Sequence, residues 1–159
     1  MKNYALVAFA LTLLLVGCLG GPIDSADAGV GSNASTDASN LSNVSQNIRI
    51  EVIHFHGTHQ CYSCTTVGQY AEETVNTYFA DELKSGKITF AHVNGELPEN
   101  QALVMKYGVT SASLWIGVYD EKGFHKEENV NVWYKINNKA DYMNYLKGVL
   151  DKRLQGDLS

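Results

Sequence analysis

The chain has 159 residues, enough for one hydrophobic core of ordinary size. Its 45% apolar and 18% charged residues fit a globular protein and exclude a wholly disordered one. Twelve basic side chains stand against 17 acidic ones, a net charge of −5, and this excess of acid argues against a nucleic-acid partner.

Tyr4 to Val16 is an apolar run behind Lys2, about the length of a secretory h-region and short of the ~20 residues a spanning helix needs. Residues 1–17 are therefore expected to be a signal peptide. Leu15-Val16-Gly17-Cys18 resembles a lipobox, which implies lipid on Cys18 and cleavage that makes it the new N-terminus. One acyl chain holds a protein only marginally, so two or more are expected there. This arrangement anchors the protein by lipid to the cell membrane, facing outside the cytoplasm. The plainer alternative is a leader, cut nearby or left uncut, in which Cys18 is just a small apolar residue.

From Leu19 to Asn47, Gly, Ser, Asn, Asp and Ala dominate without periodic apolar positions, so residues 18–47 are expected to be a lipidated N-terminus and a flexible tether. Random-coil scaling gives such a tether a reach of roughly 30 Å. Asn33, Asn40 and Asn43 each begin an Asn-x-Ser triplet, the acceptor pattern for glycosylation, although Asn/Ser-rich linkers also produce it by chance.

Residues 48–155 carry the periodic patterns of a folded domain. Ile48 to Phe55 alternates at first (Ile48, Ile50, Val52 against Arg49, Glu51) and then adds Ile53 and Phe55, as a strand entering a buried sheet does. Val67, Tyr70, Ala71, Val75, Tyr78 and Phe79 recur at helical spacing and predict a helix to about Lys84, stopped by Ser85-Gly86. Ile88 to Val93 predicts a second strand, parallel to the first through a right-handed crossover. Pro98 opens a helix through Lys106 that Gly108 ends. Ser113 to Tyr119 predicts a third strand, Asp120 to Gly123 a turn with a long polar hairpin loop, and Val130 to Ile136 a fourth strand. Asn138 caps a last helix with Tyr142, Leu146, Val149 and Leu150 on one face, and the tail beyond Gln155 is expected to fray.

The three cysteines divide into Cys18 and a Cys61-Tyr62-Ser63-Cys64 pair. At the start of a helix, Cys61 meets unpaired backbone N–H groups and the positive end of the macrodipole, which favour thiolate over thiol. Cys64 lies on the same helical face and is placed to attack a mixed disulfide formed at Cys61. A Cys-x-x-Cys pair is also half of a four-cysteine zinc site, but no second pair exists here.

With this motif at the first strand-to-helix junction, the order β-α-β-α-β-β-α resembles the thioredoxin-like superfamily. The resemblance implies an α/β fold with a central mixed four-stranded sheet flanked by helices, and it covers about Ile48 to Leu154. Ala91-His92-Val93-Asn94 and Lys106-Tyr107-Gly108-Val109 are similar to a thioredoxin's second strand of the unit and the approach to its active-site loop. The segment His56-Gly57-Thr58-His59-Gln60-Cys61-Tyr62-Ser63-Cys64, with Thr110-Ser111-Ala112-Ser113, is also similar to the ArsF-like group of small thioredoxin-fold proteins.

The resemblance implies thiol–disulfide exchange without a cofactor, with Cys61 as nucleophile and Cys64 as resolving thiol. Exported protein thiols or disulfides would be the substrates, and a membrane electron donor or acceptor the redox partner. Phe55 stands where the family has a buried acid, His92 where it has a lysine, and Ser113 where it has a cis-proline, with Ala112 beside it in the substrate loop. His92 and His54 are candidates to handle protons in place of the missing acid, against the blander role of satisfied structural histidines. Tyr62-Ser63 matches neither the reducing nor the strongly oxidising pattern and leaves the direction of electron flow open.

Two other functions compete. His54, His56 and His59 ahead of the pair make His56, His59, Cys61 and Cys64 a candidate zinc or copper set for a metal-binding or delivery protein. A non-catalytic interaction module that kept the fold is the other. Trp115 and Trp133 in strands, and Tyr70 and Tyr78 on the buried helix face, are expected to pack the core, and His125 to meet solvent.

Overall fold

The computed structural model describes residues 48–159. The expected signal peptide, the lipidated Cys18, the tether and Asn33, Asn40 and Asn43 lie outside the described residues. Strand β1 (Arg49–His56) runs through the middle of the sheet. Side chains alternate across a strand, so Ile50, Val52 and His54 face one way and Ile53 and Phe55 the other, and all five are buried. β1 pairs in parallel with β2 (Ile88–Asn94), His54 opposite His92, and antiparallel with β3 (Ser113–Asp120), Phe55 opposite Ser113. β4 (Gly123–Glu128) adds to β3, giving the order β2-β1-β3-β4 in a mixed four-stranded sheet. The α/β, thioredoxin-like arrangement is as expected.

Helices cover both faces. α1 (Tyr62–Tyr78) and α4 (Lys139–Leu154) close the larger core, in which Val52, Val67, Ala71, Val75, Ile116, Leu146 and Leu150 are sealed from water. Each fully buried Val, Leu or Ile among them contributes about 1.5–3 kcal/mol. Tyr142 ties the two helices, its buried hydroxyl donating to the Val67 carbonyl at 2.7 Å. Asn138 caps α4 as expected, accepting from the Asp141 amide at 3.1 Å.

The opposite face holds Ile53, Phe55 and Val93 beneath α3 (Gln101–Tyr107), which follows a 3-10 turn at Pro98–Asn100 and stops at Gly108, whose φ of 70° is left-handed. Tyr107 pins α3 to the sheet. Its ring crosses Gly117, where there is no side chain, and its hydroxyl donates to Glu51 at 2.8 Å. Tyr119 donates to the same carboxylate at 2.8 Å and Lys106 at 3.3 Å. Burial works against ionisation of Glu51, but these donated bonds outweigh it and hold the carboxyl below its usual range.

Several local expectations are corrected. The fourth strand is not Val130 to Ile136 but the polar Gly123–Glu128, and the hairpin turns tightly, with Asp120 paired to Gly123. An edge strand needs no apolar pattern, and its charges discourage pairing with other chains. Val130–Lys135 is instead a 3-10 helix that buries Val132 and half-buries Trp133 against the main core. The long first helix breaks at Phe79 (φ −131°), which turns inward, and α2 (Ala80–Ser85) follows, leaving Tyr78 exposed. His125 meets Asp120 at 3.1 Å, and the tail folds back so that the buried Arg153 donates to the carbonyls of Asp157 (2.6 Å) and Ser159 (3.2 Å).

A methyl group at Gly117 would overlap the Tyr107 hydroxyl and approach Phe124. Gly117→Ala is expected to destabilise the domain by about 2 kcal/mol. Chemical denaturation should show a smaller loss in a Tyr107→Phe background, where the overlapping oxygen is gone.

Candidate functional site

Cys61 occupies the N-cap of α1 with extended backbone angles, and its sulfur accepts from the Cys64 amide at 3.4 Å. The two Sγ atoms are 2.8 Å apart, with Cys61 exposed and Cys64 half-buried. The Cys64 thiol and amide, together with the Ser63 amide, lower the Cys61 pKa. The Cys64 pKa moves up, because its proton is shared with Cys61 and because burial disfavours its charge. One sulfur is thus prepared to be the thiolate and the other to hold the proton.

The loop ahead of the dithiol is clipped to the turn after β2. Glu96 accepts from the Thr58 amide at 3.0 Å, Asn94 Nδ2 donates to Thr58 Oγ1 at 3.0 Å, and Gly57 leaves room for the Glu96 carboxylate. Thr58, backbone and hydroxyl together, holds Glu96 below the usual carboxylate range. None of these contacts was legible in the sequence, because each joins residues more than thirty positions apart.

Beneath the helix lies His54, 1% exposed, in the place a side chain at Gly68 would fill: a Cβ there would come within 2.6 Å of His54 Cε1. A glycine inside a helix costs about 1 kcal/mol relative to alanine, and here it admits an imidazole under the turn that follows Cys64. That cost was the one sequence signal of a close approach. His54 Nδ1 lies 3.0 Å from His92 Nδ1, and His92 Nε2 lies 3.3 Å from a Glu72 carboxylate oxygen. His54 Nε2 is buried with no hydrogen-bond partner. Burial, and then the charges of His92 and His56, push the His54 pKa down to about 4, against a smaller opposing effect of the Cys64 backbone.

The other singled-out residues divide. Ala112 lines a cleft of about 250 Å³ with Phe55, His56, Gly57, Glu96 and Thr110. Ser113 is buried instead, its hydroxyl donating to the Ser111 carbonyl (3.2 Å) and accepting from Trp115 Nε1 (2.8 Å), so it offers a substrate no free hydroxyl. Phe55 packs against Tyr107, 5.6 Å between ring centres. His56 stacks on His54 and turns Nδ1 to the Gly57 carbonyl at 2.9 Å, while His59 is exposed in the loop. Among the described residues, no three His, Cys, Asp or Glu side chains are gathered as a metal site, and His56, His59, Cys61 and Cys64 do not converge.

The fold this geometry defines is a thioredoxin-like one, with Cys61 and Cys64 at the N-terminus of the first helix. No family model matches the chain, and no curated protein does. Among solved structures it is similar to a thioredoxin from Thermus thermophilus, at 20% identity over 66% of this chain and 76% of that one, with a TM-score of 0.43. The zinc-bound form of human ERp44 is similar at 16% identity over 70% of this chain but 30% of that one (TM-score 0.43). The first two thioredoxin domains of Naumovozyma dairenensis Eps1p match at 19% identity over 74% of this chain and 41% of theirs (TM-score 0.40). Among the described residues, no helix is long and apolar enough to cross a membrane.

His54 makes stability depend on pH. Its folded pKa of about 4 lies below the ordinary 6.5, so between these values the unfolded chain binds a proton that the folded one refuses. Stability is therefore full above about pH 6.5 and falls as pH drops towards 4, by roughly 3 kcal/mol from this group. Urea denaturation over a pH series should show this fall in the native protein and a flatter profile in His54→Gln.

Proposed function

We propose that the protein is a membrane-anchored thiol–disulfide oxidoreductase facing outside the cytoplasm, working through Cys61 and Cys64. The observation that carries this proposal is the pair's geometry: two sulfurs 2.8 Å apart at a helix N-cap, one pKa lowered and the other raised. In the reducing direction, Cys61 thiolate attacks one sulfur of an exported protein's disulfide, forming a mixed disulfide and releasing the first substrate thiolate. Cys64 loses its proton and attacks Cys61 Sγ. The Cys61–Cys64 disulfide closes and the second substrate thiolate leaves. A membrane electron donor regenerates the dithiol; run backwards with an electron acceptor, the same steps oxidise substrates.

The ArsF-like similarity of the cysteine segment supports this proposal, as does the isolation of Cys61 and Cys64 as a pair once Cys18 is assigned to lipid. The cleft lined by Ala112, His56 and Gly57 is the candidate seat for a substrate segment. His54, in contact with the dithiol helix, is the candidate acid–base group for Cys64.

With insulin as a model disulfide substrate, Cys61→Ser is expected to lose all exchange. Cys64→Ser is expected to stop at a mixed disulfide with Cys61. Stoichiometric zinc or copper that binds only when both cysteines are intact, with no exchange by the metal-free protein, would instead favour metal delivery. Neither metal nor exchange would leave an interaction module.

The anchor has its own test. Intact-mass measurement of the membrane fraction is expected to show a chain beginning at Cys18 with two or more acyl chains. An unmodified chain that keeps residues 1–17 would contradict it.

A further inference from the structure

Three glycines stand in the middle of regular elements: Gly68 in α1, Gly117 in β3 and Gly148 in α4. Glycine destabilises the interior of a helix or strand relative to alanine, so each position needs a compensating reason. At Gly68 the reason is the His54 imidazole and at Gly117 the Tyr107 phenol, since a Cβ at either glycine would overlap them. At Gly148 no atom of the protein lies within 4 Å of where a Cβ would stand. The packing of the domain therefore has no use for this missing side chain, and the gap it leaves faces outward, on the exposed side of α4.

The gap opens into a cleft of about 490 Å³ between α4 and the end of β4, within the size range of small-molecule sites. Asn144, Gly148 and Lys152 follow one another at four-residue spacing along one wall, so bare helix backbone lies between an amide and an ammonium. Glu128, Asn129 and Asn131 line the other wall, and Val149 with the Gly148 backbone makes an apolar floor. The walls are fixed in advance. The Tyr145 hydroxyl donates to Oδ1 of the buried Asn129 at 3.0 Å, and the buried Arg153 holds Glu127 through two bonds of 2.8 Å.

The lining selects among ligands. Two carboxylates, Glu127 and Glu128, meet two cations, Lys152 and Arg153, so the charges cancel and neither an anion nor a cation is favoured. The amides of Asn129, Asn131 and Asn144 each carry donors and an acceptor, which matches a ligand covered in hydroxyls, since these also donate and accept. The gap at Gly148 suits a flat ring with an apolar C–H face, as the gaps at Gly68 and Gly117 suit the rings that fill them. A pyranose combines such a face with a rim of hydroxyls. We propose that this cleft binds a neutral saccharide, one sugar ring lying against Gly148 and Val149 with its hydroxyls shared among Glu128, Asn129, Asn131 and Asn144. The cleft contains neither Cys61 nor Cys64, and the proposal stands independently of the oxidoreductase reading.

The test is saturation-transfer NMR of the full-length protein with the neutral disaccharides maltose, cellobiose, lactose and chitobiose. At least one is expected to receive saturation and to titrate with a Kd of about 1 mM or below. Asn144→Ala should weaken that sugar about tenfold, and Gly148→Leu, which fills the gap, should abolish its binding. Because nothing in the protein touches the Gly148 position, the leucine should leave the domain folded and raise its melting temperature by about 3 °C. If the leucine lowers that temperature instead, the exposed Asn144→Ala decides alone, and unaltered affinity there overturns the proposal. So does binding that survives Gly148→Leu in the folded protein, or no saturation transfer from any of the four sugars at about 20 mM. N-acetyltyrosine amide stands for the rival occupant, an aromatic side chain of a partner protein. Binding of this amide, lost in Gly148→Leu, with none of any sugar would overturn the saccharide assignment.

Discussion

The contact between Gly68 and the His54 ring sets the geometry on which the site depends. α1 lies on the central strand at a height that only a missing side chain permits, and the dithiol at its N-terminus is carried there with it. One turn separates Cys64 from Gly68, so the imidazole is buried under the turn of α1 that follows Cys64. The burial is stabilised by the cores on both faces of β1 and is costly at the polar Nε2 it seals from water.

The remaining parts of the domain hold this contact still. Tyr142 fixes α1 to α4 through the Val67 carbonyl, one residue before Gly68. On the far face, Tyr107 crosses Gly117 to reach Glu51, so a second bare glycine sets the height of α3. The Glu96 and Asn94 clip fixes the loop entering Cys61. The dithiol is therefore supported from below by a histidine, from behind by a helix pair and from the side by a carboxylate. Its electrostatics follow from these supports: backbone amides favour charge on Cys61, and partial burial disfavours it on Cys64.

Much of this fold was legible in the sequence because it is local. Alternation in Ile48 to Phe55, the stops at Gly86 and Gly108 and the cap at Asn138 are each decided within a few residues. Val130 to Ile136 misled because a short apolar run has the same composition in a strand as in a 3-10 helix, whereas the true edge strand, Gly123–Glu128, has no apolar pattern to show. The break at Phe79 was hidden inside one continuous helical period. The cysteines and the two histidines could be singled out by residue type. Glu72 and Glu96 could not, since their meaning lies in partners twenty or more residues away. Ser113 was visible as a departure from the thioredoxin sequence pattern, but only the structure showed its hydroxyl already engaged by Trp115 and Ser111.

The central claim is that Cys61 and Cys64 interconvert between dithiol and disulfide as a functional couple. The most direct measurement is equilibration of metal-free protein with graded ratios of reduced and oxidised glutathione, followed by thiol trapping and mass analysis. The account predicts a single two-electron transition, tenfold in the oxidised-to-reduced ratio per about 30 mV, between an intact dithiol and a Cys61–Cys64 disulfide. A pair that stays reduced across that whole range, or that collects only glutathione on Cys61 without closing, would contradict it.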